Sequence, residues 1–305
     1  MKIAVLIPCY NEEATISRVV ADFRNALPDA HIFVYDNNST DRTAECALSA
    51  GAQVRNERRQ GKGHVVRRMF ADIESDIYVL VDGDSTYCAA SAPAMVSRLV
   101  NDHLDMVVGL RVHQDKSAYR RGHLTGNQAL TYFLAVMFGE AFKDILSGYR
   151  VFSRRFVKSF PALSGGFEIE TELSVFALEL ELPITEVETF YYARPNGSQS
   201  KLNTWKDGFR ILGTILKLYR SEKPLRFFSV IGVLLILLSS LLAAPVVLTY
   251  LEDGVVPRLP TAILSMGIMI VAMLSFSSGL ILDTVTRGRR EMKMLTYLSH
   301  KDEKS

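Results

Sequence analysis

The fold class of this 305-residue chain is decided by the stretch Ile77-Tyr78-Val79-Leu80-Val81-Asp82-Gly83-Asp84. Five consecutive apolar residues are typical of a strand that is buried on both faces of a parallel sheet. The two carboxylates that follow, separated by Gly83, come where that strand would end. A buried strand that runs directly into paired acids predicts an α/β fold with a polar site at the edge of its sheet.

Other short apolar runs alternate with helical stretches over the first 200 residues. The predicted strands are Ile3–Ile7, Ile32–Tyr35, Ala52–Arg55, Ile77–Val81 and Met106–Val108. The predicted helices are Ala14–Leu27, a helix ending near Ser49 that Ser39, Thr40 or Asp41 can cap, Gly63–Ile73 and Ala92–Asn101. This series predicts a Rossmann-like, mostly parallel sheet with helices on both faces.

Polar residues follow four of the predicted strands. The four segments are Pro8–Glu13, Asp36–Asp41, Asp82–Thr86 and Gly109–Arg111. Because open parallel sheets bind ligands beyond the carboxyl ends of their strands, we expect these segments to meet at one edge and to form a ligand site.

Two groups at this edge suggest particular chemistry. Asp82 and Asp84 suit a hard divalent cation that also binds phosphate oxygens, although an acidic turn is the alternative. Gly61-Lys62-Gly63 at the start of a helix offers N–H donors and a cation to a diphosphate, and a solvated basic face is the alternative. The formal net charge of +2 gives no reason to expect nucleic-acid binding.

The mean hydropathy of +0.12 reflects two uncharged apolar runs near the end of the chain. Phe227–Leu251 and Leu259–Leu282 each exceed the roughly 20 residues that a helix needs to cross a bilayer. A soluble core helix would keep a polar stripe, which these runs lack, so they predict a transmembrane hairpin.

Positive charge flanks both runs, and the loop between them carries Glu252, Asp253 and one arginine. The flanking cations are Arg220, Lys223 and Arg226 on one side and Arg287, Arg289, Arg290 and Lys293 on the other. The positive-inside rule then predicts a multi-pass protein of the cell (inner) membrane, or an equivalent membrane, with both long ends in the cytoplasm. Three scattered cysteines fit that reducing compartment.

Residues 204–224, before the first run, carry an amphipathic pattern. Large apolar residues recur at helical spacing among basic ones, namely Trp205, Phe209, Leu212, Leu216 and Tyr219. This pattern fits either a core-packed helix or a helix that lies at the membrane interface. We therefore expect four parts: a cytosolic catalytic domain at 1–203, this helix, the hairpin at 225–284 with spans at about 227–251 and 259–282, and a basic cytosolic tail at 285–305.

Several motifs together resemble a known family. They are Pro8-Cys9-Tyr10-Asn11-Glu12, Asp36–Asp41, Gly61-Lys62-Gly63, Asp82-Gly83-Asp84, Ser147–Ser153, Phe167–Glu172 and Gly197–Leu202. In this order they resemble a family 2 glycosyltransferase with a GT-A fold. With the hairpin they resemble, within that family, the polyprenyl-phosphate glycosyltransferases of the dolichyl-phosphate mannose synthase group. The resemblance covers nearly the whole chain.

The resemblance implies a role for each matching residue. Nucleotide binding would fall to Pro8, Tyr10, Glu12, Asp36, Lys62 and Asp82. A divalent metal, Mg²⁺ or Mn²⁺, would be held by Asp82 and Asp84. The acceptor phosphate would be surrounded by Arg111, Arg121, Arg150 and Lys201, and the catalytic set would be Asp82, Asp84, Arg111, Arg121 and Arg150. Thr86 stands where relatives often carry another metal-side ligand such as Gln. Two alternatives remain for Glu168, Glu170 and Glu172: they have structural roles, or they line the sugar site.

The implied reaction moves a sugar, with inversion, from a nucleotide sugar to polyprenyl phosphate. A UDP-sugar is favoured over GDP-mannose, and a homo-oligomer is compatible with the sequence. The acceptor phosphate, with a second pKa of about 6, is largely dianionic at neutral pH and needs no general base. The alternatives are a family 2 enzyme that extends a glycan at a hydroxyl group, and a non-catalytic membrane scaffold with a degenerate GT-A domain.

Overall fold

The structure is a computed structural model that describes residues 1–113, 123–139, 142–195 and 204–300, without the side chains at 113, 123–129, 204–207 and 209. The strands are β1 (Ile3–Cys9), β2 (His31–Asp36), β3 (Gln53–Asn56), β4 (Ile77–Leu80), β5 (Met106–His113), β6 (Arg150–Ser153) and β7 (Ile184–Tyr191). The helices are α1 (Ile16–Ala26), α2 (Thr43–Ser49), α3 (Lys62–Asp72), α4 (Ala92–Asn101), α5 (His123–Phe138), α6 (Arg154–Ser159), α7 (Ile169–Glu179), α8 (Thr204–Glu222), α9 (Pro224–Asp253) and α10 (Leu259–Ser299).

The described strands form one sheet in the order β3-β2-β1-β4-β6-β5-β7. Strands β1 to β4 pair in parallel, and so do β5 and β7. Strand β6 runs antiparallel between β4 and β5. The mostly parallel α/β sheet predicted from the sequence is therefore confirmed, and the antiparallel β6 is an addition that the apolar runs did not predict.

The core of this unit lies between the sheet and its helices. The central strands contribute fully buried side chains such as Val5, Val34 and Val79, and α1 turns Ile16 and Phe23 toward them. Such continuous burial explains why the strands have uninterrupted apolar sequences.

Helix α2 begins later than its sequence suggested. The sequence offers Ser39, Thr40 and Asp41 as capping residues; the helix starts at Thr43, and Asp41 Oδ1 accepts the Thr43 N–H at 3.0 Å. The carboxylate of Asp41 thus satisfies the N–H of the first helical residue, while Arg42 occupies the N-cap position. The loop from Asp36 to Arg42 is thereby longer and lies at the edge where the site forms.

The chain divides into two compact units, one of residues 1–215 with 293–305 and one of residues 216–292. The segment from Lys293 to Ser299 therefore belongs with the sheet. Its Tyr297 Oη donates to Asp105 Oδ2 at 2.7 Å, and its Lys293 forms an ion pair of 2.6 Å with Glu179. Within the basic tail predicted at 285–305, the residues from Lys293 to Ser299 thus contact the first unit.

In the second unit, α9 and most of α10 are long and apolar. In the most apolar 18-residue stretch of each helix, 17% of the residues of α9 and 11% of those of α10 are buried. The core helix of a soluble protein would be mostly buried. Ser239 Oγ donates to the Ser265 carbonyl at 2.7 Å, and Gly232 lies against the ring of Phe276. Small residues and hydroxyl hydrogen bonds at a helix contact are typical of membrane helices. Two helices in the described residues thus have the length and composition of a transmembrane hairpin.

Candidate active site

A cavity of about 610 Å³ lies at the carboxyl ends of the central strands. Strands β1, β2, β4 and β5 each contribute a lining residue at or just beyond their ends, as do the loop before α7 and the helix α8. The predicted site residues among its lining are Pro8, Tyr10, Glu12, Lys62, Asp82, Asp84 and Arg111. The structure therefore brings together residues more than a hundred positions apart, because parallel strands end at the same edge.

Lys62 is the central cation of this cavity. Its ammonium group pairs with Asp82 and, at 2.5 Å, with Oε1 of Glu170. Burial by itself lowers the pKa of Lys62, but the two carboxylates outweigh burial and raise the pKa above its usual value. Lys62 is thus a buried, permanently charged group that links β4 to α7.

Asp84 has different partners. It is buried, its Oδ2 lies 2.6 Å from Nη2 of Arg194, and its Oδ1 accepts the hydroxyl of Thr86 at 2.6 Å. Burial first, and the charge of Asp82 second, raise the pKa of Asp84, while Arg194 opposes the shift. Thr86 therefore orients the carboxylate by a hydrogen bond.

The acid pair fits a divalent cation that is shared with a substrate. Hard cations such as Mg²⁺ are usually held by one or two carboxylates together with substrate phosphates. Over the part of the chain that the structure describes, no group of three or more acidic, histidine or cysteine side chains is arranged to hold a metal. Asp82 and Asp84 would therefore need oxygen ligands from a bound diphosphate to complete a metal site.

The loops after β1 and β2 form another part of the cavity lining. Tyr10 is partly exposed, and the buried Glu12 receives the hydroxyl of Thr15 at 3.3 Å. Asn37, which the sequence did not single out, donates to the carbonyls of Glu57 and Arg59 and accepts the Gly61 N–H at 2.7 Å. Asn37 thus ties β2 to the start of α3.

Asp36, the last residue of β2, does not line the cavity. It is 8% exposed, and its Oδ2 accepts the Ser39 N–H at 3.2 Å. Its Oδ1 is buried and has no hydrogen-bond partner among the described residues.

Arg150 is not at the cavity, and the role expected for it is corrected. In the central strand β6 it lies in register with Leu80 and Val108 on its two neighbours, and it is fully buried. Its guanidinium donates to the carbonyls of Ile145 and Ser147, at 2.8 and 3.0 Å, and to the hydroxyl of Ser174. Burial lowers the pKa of Arg150 to about 10. Arg150 therefore supports the loop beneath the site.

Arg111 does line the cavity. Its Nε and Nη2 bind both oxygens of Asp144, at 2.6 and 2.8 Å, and its guanidinium lies over the ring of Tyr191. This bidentate pair fixes the orientation of the guanidinium. Arg121 and Lys201, the other two expected phosphate ligands, lie outside the described residues.

The sequence did not single out two further arginines of the cavity, Arg194 and Arg210. A signal existed for Arg194, because β7 pairs in parallel with β5 and so ends at the same edge. Arg210 belongs to α8, for which the sequence indicated the apolar residues as the contact-forming face and assigned no ligand to the basic ones. Neither arginine belongs to a motif, and the topology brings them to the site.

Comparison with known proteins identifies the family. Residues 4–160, just over half of the chain, match the family model described as glycosyl transferase family 2. Glycosyltransferase AglJ of Haloferax volcanii is 36% identical over 232 residues, which cover 75% of this chain and 76% of AglJ. The chain therefore belongs to glycosyltransferase family 2.

Two other relatives extend this comparison. A dolichyl-phosphate hexose transferase of Haloferax volcanii is 27% identical over 221 residues, covering 72% of this chain and 95% of that protein. Glucosyl-3-phosphoglycerate synthase of Mycobacterium tuberculosis, solved in complex with uridine diphosphate, superposes with a TM-score of 0.58 at 25% identity, covering 72% and 80% of the two chains. The GT-A fold expected from the motifs is confirmed.

Proposed function

We propose that this glycosyltransferase moves a sugar, with inversion, from a nucleotide diphosphate sugar to a polyprenyl phosphate in a membrane. The observation that carries the proposal is the charge arrangement of the cavity, where an acid pair stands among cations. The lining cations are Lys62, Arg111, Arg194 and Arg210. The uridine diphosphate of the solved relative and the dolichyl-phosphate named for another relative support the two substrates.

The acceptor chemistry explains the arginines. A phosphate monoester has a second pKa of about 6, so the acceptor is mostly a dianion at neutral pH and attacks without losing a proton. The task of the protein is to hold two anionic substrates together, which arginine does by bidentate hydrogen bonds. Arg111, Arg194 and Arg210 are the described candidates, and Arg121 and Lys201 remain proposed ligands.

The donor side has its own requirement, the stabilisation of a leaving diphosphate. Lys62 is suited to this because it is buried and charged, and the fixed charge costs no reorganisation during reaction. Asp82 and Asp84 would hold Mg²⁺ or Mn²⁺ with the diphosphate, and that cation would neutralise charge on the leaving group. Pro8, Tyr10, Glu12 and Asp36 would bind the nucleoside, with a UDP-sugar favoured over GDP-mannose.

The lipid acceptor requires a membrane, and we propose that α9 and α10 cross it with the first unit in the cytoplasm. The positive flanks of both helices support this orientation. Helix α8 would lie at the interface, although the side chains of Trp205 and Phe209, which would anchor it, are outside the described set.

An acceptor panel tests the proposal with the full chain in membranes. UDP-glucose, UDP-N-acetylglucosamine and GDP-mannose are each offered with undecaprenyl phosphate, dolichyl phosphate or a free saccharide. We expect a lipid-linked product from one nucleotide sugar. Transfer to the saccharide alone would show a glycan-extending enzyme, and no transfer or hydrolysis with any metal would show a non-catalytic scaffold.

A further inference from the structure

His64, the third residue of α3, is a polar side chain of the cavity that has no role in the proposed function. Its Nδ1 lies 3.3 Å from Nη2 of Arg67, which is three residues further along the helix. A guanidinium only donates hydrogen bonds, so Nδ1 is the acceptor and the ring hydrogen lies on Nε2. The contact with Arg67 therefore fixes both the orientation and the tautomer of the imidazole.

Arg67 is placed for this contact and not for an ion pair. Among the described residues no carboxylate pairs with it, whereas its neighbour Arg68 pairs with Asp72 at 2.8 Å. The Nε of Arg67 is buried and has no hydrogen-bond partner in the same set of residues. A buried, unpaired donor is costly, so the position of Arg67 requires an explanation, and the orientation of His64 provides one.

The imidazole lies between two glycines. A Cβ at Gly61 would come within 3.5 Å of its Cδ2, and a Cβ at Gly165 within 2.8 Å of its Nε2. Gly165 belongs to the loop before α7, which Glu172 fixes by accepting the N–H groups of Leu163 and Ser164 at 2.9 and 2.7 Å. Because residue 165 has no side chain, space remains in front of Nε2.

The Nε2–H group has no acceptor within the described part of the chain. The acids at the start of α7 do not take it, because Glu170 pairs with Lys62 and Oε2 of Glu168 is buried without a partner. Unlike Nε of Arg67, Nε2 of His64 is not buried, and the side chain lines the cavity. An oriented donor is thus open to a molecule that enters the cavity.

The surroundings of this donor favour an anionic oxygen. His64 stands in the first turn of α3, which begins at Lys62, and the positive end of a helix attracts anions. The ammonium group of Lys62 and the guanidinium of Arg67 add positive charge in the same two turns. A phosphate oxygen would gain from this charge as well as from the hydrogen bond, whereas a neutral oxygen would gain only from the hydrogen bond.

We propose that His64 binds a substrate phosphate oxygen through its Nε2–H group, and that Arg67 is the residue that positions it. Two sources share this chemistry, namely the diphosphate of the nucleotide sugar and the phosphate of the lipid acceptor. This inference rests on the proposed function, because it requires those two substrates.

Binding of UDP to the full chain in detergent with Mn²⁺, or of GDP if only GDP binds, tests the first source. His64→Leu removes the N–H group and should weaken binding about tenfold to a hundredfold, as expected for one hydrogen bond to a charged group. His64→Gln should keep most of the affinity, because an amide N–H can replace the imidazole N–H. The affinity for the nucleoside without phosphate, measured by displacement of the nucleotide, should be unchanged.

The KM for undecaprenyl phosphate tests the second source. If the acceptor phosphate is the ligand, His64→Leu should raise this KM about tenfold or more and should leave nucleotide binding unchanged. His64→Gln should again restore most of the loss. The control is His31→Leu at the exposed start of β2, which should change neither quantity.

Arg67→Met tests the positioning role. It should weaken phosphate binding less than His64→Leu does, and it should have no further effect when combined with His64→Leu, since double-mutant cycles report such coupling. The matched control is Arg68→Met on the same helix, where the arginine pairs with Asp72 and does not line the cavity. Thermal melting of each variant shows that it is folded.

Three results would overturn the proposal. The first is wild-type affinity for the nucleotide together with a wild-type KM for the lipid phosphate in folded His64→Leu. The second is an equal loss of affinity for the nucleoside and the nucleotide, which would place His64 at the base or ribose. The third is a loss confined to UDP-glucose or GDP-mannose, which would place it at the sugar. If neither UDP nor GDP binds the wild type, the proposed function itself fails, and the two failures are thereby distinguished.

Discussion

Asp82 and Asp84 are two residues apart, but they have unlike surroundings. Asp82 pairs with Lys62, whereas Asp84 pairs with Arg194 and accepts the Thr86 hydroxyl. A cation and a diphosphate that enter the cavity would meet both carboxylates already oriented. The orientation is set by side chains from the segment after β7, from α3 and from the loop itself, so the three residues of the acid motif do not explain it alone.

Replacing Asp84 by Asn should abolish most activity. The change removes a charge that can hold a divalent cation and should slow transfer about a hundredfold or more, a loss typical of removing one electrostatic contact at a reacting site. Transfer assays over a range of Mn²⁺ concentrations measure both rate and metal requirement. Asp29→Asn, at an exposed turn, is the control. Undiminished metal-dependent transfer by folded Asp84→Asn would contradict the assignment.

At the scale of elements, the loop that enters β6 closes tightly on the site. A Cβ at Gly148 would come within 2.5 Å of Asp82 Oδ2 and 3.0 Å of Lys62 Nζ. The Gly148 N–H also donates to the hydroxyl of Tyr87 at 2.8 Å. Because residue 148 is glycine, the backbone of the loop before β6 can lie directly against Asp82 and Lys62. The antiparallel strand thus contributes to the site through the backbone of this loop.

Gly148→Ala should therefore reduce activity more than stability. The added methyl group meets the ends of two side chains, which can move, and their movement disrupts the Asp82 and Lys62 pair. We expect at least a tenfold lower rate (an order-of-magnitude figure) with little change in melting temperature. Gly213→Ala on α8 is the control, because its Cβ meets nothing within 4 Å. A wild-type rate for Gly148→Ala would show that the site tolerates displacement of the pair.

The first unit joins residues nearly two hundred positions apart. Asp105, at the start of β5, is fully buried and receives hydrogen bonds from Ser153, Arg155 and Tyr297. The guanidinium of Arg155 also lies over the Tyr297 ring, 5.0 Å from its centroid. The segment after the apolar helices is thus bound to the sheet through one carboxylate.

Tyr297→Phe should lower the stability of the first unit. It removes a hydrogen bond to a buried carboxylate, worth about 1–3 kcal/mol, and should lower the melting temperature by about 2–10 °C. Thermal unfolding of the full chain in detergent measures this. Tyr132→Phe, at an exposed residue of α5, should have no effect. An unchanged melting temperature for Tyr297→Phe would show that Arg155 and Ser153 satisfy Asp105 alone.

For the whole molecule, the proposed topology places the loop at 254–258 outside the cytoplasm. In intact cells, a membrane-impermeant maleimide should label Val256→Cys but should reach Asp29→Cys in the first unit only after permeabilisation. The native Cys46 and Cys88 belong to the first unit and give the same background in both variants. Labelling of Val256→Cys only after permeabilisation would contradict the orientation.

The sequence by itself determined the first five strands, the polar segments at the ends of four of them and the two apolar helices. These are local properties, because apolar runs, turn residues and charge follow one another along the chain. Only the tertiary structure decided that Arg150 is buried, that Arg194 faces Asp84 and that Glu168, Glu170 and Glu172 differ in their partners. Those outcomes depend on where β6 and β7 enter the sheet and on which groups then meet, and burial and pairing across space leave no periodic signal in the chain.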